Sequence, residues 1–252
     1  MFDGILAELY RLLDCCEGQR IKKDVDSDSF RWPLAKQQLV LKGEGAIELG
    51  GGGMPAVSGV LYRGLPDFTK GGGDTFAPSE LERRAPGAEG IKTVELYGPD
   101  LPELKGDVPY ARVTLVTLRG EFTAEEHKLY QLLRSIEYIR YHVEPEGYMP
   151  RISTAQSREQ VRVSKEALKK GLNFFKVGRL YEEAYLRHPA VEAAETVFIT
   201  TEQFAYAGLQ ALLDREEAFI MSLEHPLNRL KMDCSVCGLK PVCDELEAHG
   251  FG

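Results

Sequence analysis

Apolar residues at the start of the chain recur at the spacing of an amphipathic helix, which we predict over residues 3–16. Asp3 stands at the start of this pattern, where its carboxylate can cap the free N–H groups of the first turn. The apolar stripe of the helix is formed by Phe2, Leu6, Leu9, Leu13 and Cys16. The pattern therefore directs Cys16 to the core and leaves Cys15 at the edge of the stripe.

Strand-like segments alternate with helical ones over most of the remaining chain. β-Branched and alternating apolar residues predict strands at 33–41, 54–62, 91–97, 113–118 and 196–200. Helices are predicted at 165–170, 181–186, 202–213, and from the capping box Thr123-Ala124-Glu125-Glu126 to before Pro145. The alternation indicates an α/β fold with a mixed sheet flanked by helices, and an α+β arrangement fits the same pattern.

The other segments are charged or rich in glycine. Residues 17–31 read as irregular, and residues 63–90 combine a glycine run with several prolines, which is typical of a mobile insertion or lid. A second run, residues 50–53, lacks the lysine and hydroxyl residue that follow the glycines of a phosphate-binding loop, so it indicates a turn. The predicted organisation is an N-terminal helix and linker at 1–32, an α/β domain at 33–230 and a cysteine-rich tail at 231–252.

Composition limits the classes of function. The chain has 252 residues, a formal net charge of −8 and a pI near 5.3. An acidic protein repels phosphate backbones and anionic membranes over most of its surface, so we expect neither nucleic acid nor a membrane as a partner. The lack of an apolar run of roughly 18 to 20 residues, together with acidic residues near the N-terminus, predicts a cytoplasmic protein.

Three of the five cysteines, Cys234, Cys237 and Cys243, form a C-x2-C-x5-C motif. Thiolates two residues apart share a tight turn, and Gly238 and Pro241 bend the chain so that the third thiolate can reach the same metal. The odd number of cysteines and the length of the chain disfavour a disulfide framework, and buried structural cysteines are the other alternative. The motif therefore predicts a site for zinc or for an iron–sulfur cluster.

Both kinds of site take four ligands, so the motif needs one more. The other two cysteines are Cys15 and Cys16, at the opposite end of the chain. A metal bound by either of them would join the two termini and close most of the chain into a loop, which removes entropy from the unfolded state. His225 or His249 could close the site instead.

One early cysteine with a late C-x2-C-x5-C resembles the iron–sulfur staple of RecB-type nucleases, and this resemblance implies a [4Fe–4S] cluster in preference to zinc. Pro99-Asp100 and Glu103-Leu104-Lys105 are similar to the two acidic pieces of that nuclease active site. Those pieces chelate Mg²⁺ from adjacent strands, whereas here only two residues separate them and one is Pro102. A stapled nuclease is therefore kept only as an alternative.

A second resemblance rests on five short motifs in a fixed order along the chain. They are Glu48-Leu49-Gly50-Gly51 with Met54-Pro55-Ala56, Val94-Glu95-Leu96-Tyr97-Gly98-Pro99-Asp100, Glu146-Gly147-Tyr148-Met149, the run from Val161 to Gly171, and the run from Val197 to Glu202. The series resembles the middle domain of the acetyl-CoA synthase of anaerobes, the nickel–iron–sulfur subunit of the carbon monoxide dehydrogenase/acetyl-CoA synthase complex. In that family a cysteine-rich domain that begins with C-x2-C follows, where Cys234 and Cys237 stand here.

The resemblance implies a cofactor and partners. The Cys-Gly-Cys segment that chelates nickel in the family is absent here. The resemblance therefore implies an iron–sulfur protein without a complete nickel centre. Such a protein would be an accessory or partial subunit in anaerobic carbon monoxide and acetyl-CoA metabolism. Its partners would be other subunits of the carbon monoxide dehydrogenase/acetyl-CoA synthase complex or a ferredoxin-like protein.

The resemblance also implies a coenzyme A site. In the family the middle domain takes part in coenzyme A binding through arginines and an aromatic residue near the Glu-Gly motif. Here Tyr148 lies near that aromatic position, although the family's tryptophan is absent, and positive charge comes from Arg151, Arg158 and Arg162. Arginine forks match phosphate oxygens, and an aromatic face can stack on adenine. Solvated arginines on a loop and a helix face are the alternative.

Whether the chain is an enzyme stays open at this stage, because its histidines are scattered and form no nucleophile arrangement with serine or cysteine. If it is enzymatic, the resemblance implies acyl-transfer chemistry of the acetyl-CoA synthase type within a complex. The alternative is a stand-alone enzyme, or a protein that binds coenzyme A or a nucleotide, with a structural iron–sulfur or zinc staple.

Overall fold

The computed structural model of the chain describes residues 2–24, 32–35, 38–41, 45–63, 65, 92–120, 126–153, 157–224 and 240–241. These residues form a mixed α/β fold, in which a five-stranded sheet lies between helices and a three-stranded sheet lies beside it.

Eight strands are present in the described part of the chain. They are β1 (Arg20–Asp24), β2 (Ala46–Leu49), β3 (Ala56–Arg63), β4 (Lys92–Tyr97), β5 (Tyr110–Leu118), β6 (Tyr148–Ser153), β7 (Arg158–Ser164) and β8 (Val191–Ile199). The main sheet has the order β1-β4-β8-β5-β3, and the small sheet has the order β2-β7-β6. In the main sheet β4 pairs in parallel with β8 and β3 with β5, whereas the other two pairs are antiparallel.

In the described part of the chain, five α-helices with defined bounds surround the sheets. They are α1 (Phe2–Asp14), α2 (Glu126–Tyr138), α3 (Lys165–Lys169), α4 (Phe174–Tyr185) and α5 (Tyr206–Ser222). Short 3-10 turns lie at Glu17–Gln19, Leu101–Glu103 and Ile139–His142. No helix in the described ranges is long and apolar enough to cross a membrane.

The main sheet has an apolar core on each face. One core joins α1 and α5 to the odd-numbered positions of β3 and β5, where Gly59 leaves room for Leu213. The other joins α2 and α4 to the opposite face, where Gly178 of α4 lies directly on Val94. Because α1 packs on α5 and β3, the helix that we assigned to a separate N-terminal part contributes to the same body.

The predicted fold class is confirmed, and so are several elements. Helix α1, strands β3, β4 and β5, and the central position of β5 agree with the sequence pattern. The side chain of Ser164 accepts hydrogen bonds from the first backbone N–H groups of α3, and Gly171 follows that helix with φ of +90°. The Thr123 capping box, most of the predicted insertion at 63–90 and all of the predicted tail at 231–252 except residues 240–241 lie outside the described residues.

Other elements differ from the predictions. The segment interpreted as irregular at 17–31 contains β1, whose Arg20 and Lys22 pair with Glu95 of the neighbouring strand. The predicted strand at 33–41 forms only an isolated antiparallel bridge in its described part, between Leu34 and Pro145, and the Gln38 side chain bonds the backbone of the 145–148 turn.

The ends of two helices and one strand were also predicted wrongly. Asn173 caps α4, which starts well before residue 181, and β8 starts at Val191. Helix α5 begins at Tyr206 and continues to Ser222. The hairpin of β6 and β7 was missed entirely, because its polar positions hide the alternation of a strand that is buried on one face only.

Candidate functional site

The two N-terminal cysteines form a vicinal thiol pair at the end of α1. Their sulfur atoms lie 3.3 Å apart, and Cys15 Sγ also contacts the carbonyl oxygen of Leu12 at 3.0 Å. Cys15 is exposed, whereas Cys16 is buried in the core between α1, α5 and the sheet, as its position on the apolar stripe predicted. One thiol of the pair is therefore open to a ligand, with the second directly behind it.

The surroundings of Cys16 favour the protonated thiol. Burial raises the pKa of Cys16 to about 11, and the hydrogen bond that it shares with Cys15 adds to this shift. A thiolate is the form that binds metals, and a bound cation reverses such a shift because it compensates the negative charge. Cys16 is thus a neutral thiol at neutral pH unless a cation binds to it.

Helices α1 and α5 are antiparallel, and this fixes the position of the thiol pair relative to the C-terminal chain. The rings of Phe2 and Phe219 meet with centroids 4.8 Å apart, and Glu8 forms an ion pair with Arg215. Cys15 and Cys16 accordingly lie near the first turn of α5. The chain leaves α5 at the other end.

The length of the chain permits the C-terminal cysteines to return to this pair. Helix α5 has 17 residues and spans about 25 Å at 1.5 Å per residue. The ten residues from Glu224 to Cys234 can extend over about 33–36 Å. Cys234 is therefore within reach of the thiol pair, although only along a nearly direct path.

The other predicted metal ligands, Cys234, Cys237 and Cys243, lie outside the described residues, as do His225 and His249. Within the described ranges, no group of three or more His, Cys, Asp or Glu side chains could hold a metal ion. The structure thus brings together the two N-terminal candidates, and the four-ligand site stays a prediction.

The residues predicted to bind coenzyme A are dispersed. Tyr148 is fully buried, and its hydroxyl lies 2.6 Å from that of Tyr110, so its ring offers no face to an adenine. Arg162 is half-buried and donates to Glu48 at 3.0 Å. Arg151 and Arg158 are both exposed on the β6–β7 hairpin.

Arg158 differs from Arg151 in lining an open groove of about 640 Å³. The groove runs between the first turns of α5 and the glycine-rich turn before β3; besides Arg158, its lining includes Met54, Tyr206, Gln210 and Asp214. Tyr206 occupies the first position of α5, and the residue before it provides no side-chain cap. The Arg158 guanidinium, the first turn of α5 without a side-chain cap, and the Asp214 carboxyl group therefore border one space.

The carboxylates considered for a nuclease have structural partners. Asp100 accepts hydrogen bonds from the backbone N–H groups of Leu101 and Phe174, and Glu103 accepts from the backbone of Asp100. They form a capping box on a 3-10 turn. Burial raises the pKa of Asp100, an effect that its two backbone bonds partly offset.

The motifs of the acetyl-CoA synthase resemblance converge in space as two sets. Glu48-Leu49 of β2 pairs with Val161-Arg162 of β7, and β7 pairs in turn with the strand that starts at Tyr148. The other two motifs supply the adjacent parallel strands β4 and β8. Their following turns also meet, because Thr200 Oγ1 donates to the Pro99 carbonyl oxygen at 2.8 Å.

The sequence analysis missed two buried charge clusters. Arg112 of β5 and Glu159 of β7 form a fully buried bidentate pair between the two sheets. Arg112 stands within an otherwise apolar strand, and this is the signal that could have revealed a buried partner. The other cluster surrounds Glu95 and Glu195 on the opposite face of the main sheet.

Comparison of the chain with protein-family models and with curated proteins gives no match.

Proposed function

We propose that the protein binds an iron–sulfur cluster, with zinc as the alternative metal, through Cys234, Cys237, Cys243 and one thiol of the Cys15–Cys16 pair. It acts as an accessory or partial subunit in anaerobic carbon monoxide and acetyl-CoA metabolism. The observation that carries this proposal is the pair of N-terminal sulfur atoms 3.3 Å apart, one of them exposed.

The four cysteine ligands suit an iron–sulfur cluster or a zinc ion. Cysteine thiolates are the ligands of [4Fe–4S] clusters and of many structural zinc sites, and both take four. Cys15 supplies the exposed thiol, and Cys16 lies next to it with a pKa that metal binding would lower. The convergence of the matched motifs into two sets of neighbouring strands supports the relationship to acetyl-CoA synthase.

A bound cluster would store electrons or would join the two ends of the chain structurally. The residues around it would determine how stably the cluster is bound. The apolar packing around Cys16 shields one side of the thiol pair from water. Helix α5 separates the pair from the point where the tail leaves the core, so a cluster would hold the tail along this helix. We therefore expect metal binding to stabilise α1 and α5 together.

Serine variants of the cysteines test the ligand set. We expect the double variant Cys15→Ser/Cys16→Ser and the single variant Cys243→Ser to lose the metal after anaerobic purification, and their unfolding temperature to fall. His225→Ala and His249→Ala are the matched controls for the alternative ligands and should retain full occupancy. Full metal occupancy in the double cysteine variant would refute the proposal that an N-terminal thiol is a ligand of the metal.

A second candidate function is the binding of coenzyme A or a similar nucleotide, and the groove beside Arg158 is the observation that favours it. Its volume is in the range of small-molecule sites. A guanidinium beside the first turn of a helix that has no side-chain cap suits phosphate oxygens.

Two arginines of one hairpin test this second function. Loss of a charge-assisted hydrogen bond costs about 1.5–3 kcal/mol, so Arg158→Ala should weaken coenzyme A binding by about tenfold or more in a calorimetric titration. Arg151→Ala removes the same charge from the same hairpin but not from the groove, and it should have little effect. Equal losses in both variants would indicate only a general charge effect.

A further inference from the structure

The outer edge of β3 is completed by single hydrogen bonds from several elements instead of by another strand. An edge strand exposes a row of backbone N–H and carbonyl groups that need partners. The N–H of Ser58 donates to the carbonyl oxygen of Ser157 at 2.9 Å, and Arg140 Nη1 donates to the carbonyl oxygen of Ser58 at 3.1 Å. Further along the strand, the N–H of Tyr62 donates to the carboxyl group of Glu216.

A small cavity of about 20 Å³ lies between these contacts, at the middle of the edge. Val60 and Tyr62 line it from β3, Arg140 from the 3-10 turn, and Glu216 from α5. A space of this size holds one water molecule.

Two polar atoms in this cavity have no hydrogen-bond partner within the described part of the chain. They are Arg140 Nε and Glu216 Oε1, and their residues are only 4% and 3% exposed. An unpaired buried polar atom costs about 1–3 kcal/mol, so both atoms need a ligand. They belong to different elements and border the same cavity, which makes one shared ligand sufficient.

Burial and neighbouring charges both act on the pKa of Glu216. Burial raises the pKa of Glu216 well above its usual range, and the carboxylates of Glu137 on α2 and Glu217 on α5 add to the shift. Arg134 contacts both of those carboxylates, and Arg140 contacts Glu137. Both effects favour the neutral form of the Glu216 carboxyl group.

The contacts of the two unpaired atoms define what can join them. Glu216 Oε1 has no hydrogen-bond partner among the described residues, and Arg140 Nε is an N–H donor without an acceptor there. Both residues line the one cavity. A water molecule can accept from Arg140 Nε and bond Glu216 Oε1 whether or not the carboxyl group is protonated, whereas the carboxylates of Glu137 and Glu217 disfavour an anion.

We propose that the cavity at the edge of β3 is a binding site for one ordered water molecule, which accepts a hydrogen bond from Arg140 Nε and forms a second hydrogen bond with Glu216 Oε1. The water completes the polar edge where α2, α5 and β3 meet. This site is independent of the proposed metal site.

Arginine-labelled protein provides the test. We expect a dipolar cross-peak between the Arg140 Nε–H proton and water at neutral pH, with the sign of a long-lived contact and not of chemical exchange. Arg140→Lys identifies the signal by its loss. Absence of the cross-peak in the folded wild-type protein would overturn the proposal.

Variants of α5 sharpen the test. Glu216→Leu fills the cavity and removes one polar partner, so the cross-peak should disappear, whereas Glu217→Gln on the adjacent surface position should retain it. A cross-peak of unchanged intensity in Glu216→Leu would also overturn the proposal. If Glu216→Leu does not fold, Glu216→Gln keeps a polar amide at the same place and should preserve the contact; a folded Glu216→Gln without it would contradict the assignment.

Discussion

The two buried charge clusters lie on opposite faces of the main sheet and are built on different plans. Arg112 and Glu159 form a closed pair: both side chains are fully buried, two N–H groups meet two oxygens, and the ring of Tyr181 covers the guanidinium at 3.9 Å. Glu95 and Glu195 belong to an open network on the α1 face, where both carboxyl groups and Arg63 are buried but Arg20 and Lys22 are partly exposed to solvent.

The open network contains more charges than the closed pair. Arg20 contacts Glu95 at 2.7 Å, Arg63 contacts Glu195 at 3.1 Å, and the half-exposed Lys22 lies between the two carboxyl groups. Arg20 and Lys22 outweigh burial and hold the pKa of Glu95 at about 2, whereas burial and the nearby Glu95 charge raise the pKa of Glu195. The comparison teaches that a closed pair serves to join two sheets, whereas an open network makes stability depend on pH.

The largest effect is expected from breaking the closed pair. Glu159→Ala leaves the Arg112 guanidinium buried without its carboxylate, and such a loss costs about 3–5 kcal/mol. We expect this decrease in the free energy of unfolding in denaturant titrations. The double variant Arg112→Met/Glu159→Leu removes both charges and should recover most of the loss; an equally unstable double variant would show that the ion pair is not the cause.

The open network should respond to pH in two opposite directions. The pKa of Glu95 falls from 4.5 in the unfolded chain to about 2, so its contribution is present above pH 4.5 and is lost as the pH falls toward 2. We expect Glu95→Gln to cost about 2–3 kcal/mol at neutral pH and progressively less below pH 4.5. Unfolding titrations at a series of pH values measure the difference.

Glu195 is the matched partner for this experiment. Its folded pKa is raised, so its contribution is present below pH 4.5 and is lost as the pH rises through the folded value. The free energy of unfolding of the wild-type protein should therefore decrease relative to Glu195→Gln over that rise. Parallel pH profiles for the wild type and both glutamine variants would contradict the network.

The smallest effects concern two tyrosine hydroxyls near the closed pair. Tyr148 shares a hydrogen bond with Tyr110, whereas the Tyr181 hydroxyl is buried and has no partner in the described part of the chain. Tyr148→Phe should cost about 1 kcal/mol, and Tyr181→Phe should be neutral or stabilise by up to about 1 kcal/mol. Thermal unfolding of both variants compares them, and a loss of stability in Tyr181→Phe would reveal a partner for that hydroxyl.

The sequence was sufficient for those parts of the fold that apolar periodicity determines. The stripe of α1 located Cys16 in the core, and the continuous apolar run of β5 located that strand in the centre of the sheet. It failed where pairing depends on distant partners. Strand β1 consists largely of charged residues and is held by Glu95, which lies far along the chain.

The candidate site was predictable to a similar extent. The vicinal thiols could be found from the sequence, because cysteine is rare and the helical spacing gave their direction. Periodicity could not reveal that Tyr148 is buried against Tyr110, or that Arg158 lines a groove while Arg151 does not. Those differences arise from the packing of the small sheet against the main one, which no local pattern encodes.

The most direct test of the proposed function is the metal content of the protein purified without oxygen, with iron, sulfide, zinc and nickel measured together with the visible absorption spectrum. We predict about four irons and four sulfides per chain, broad charge-transfer absorption and no stoichiometric nickel. One zinc per chain would show that the cysteines form a structural zinc site instead of a cluster site. A folded protein without any bound metal would contradict the account.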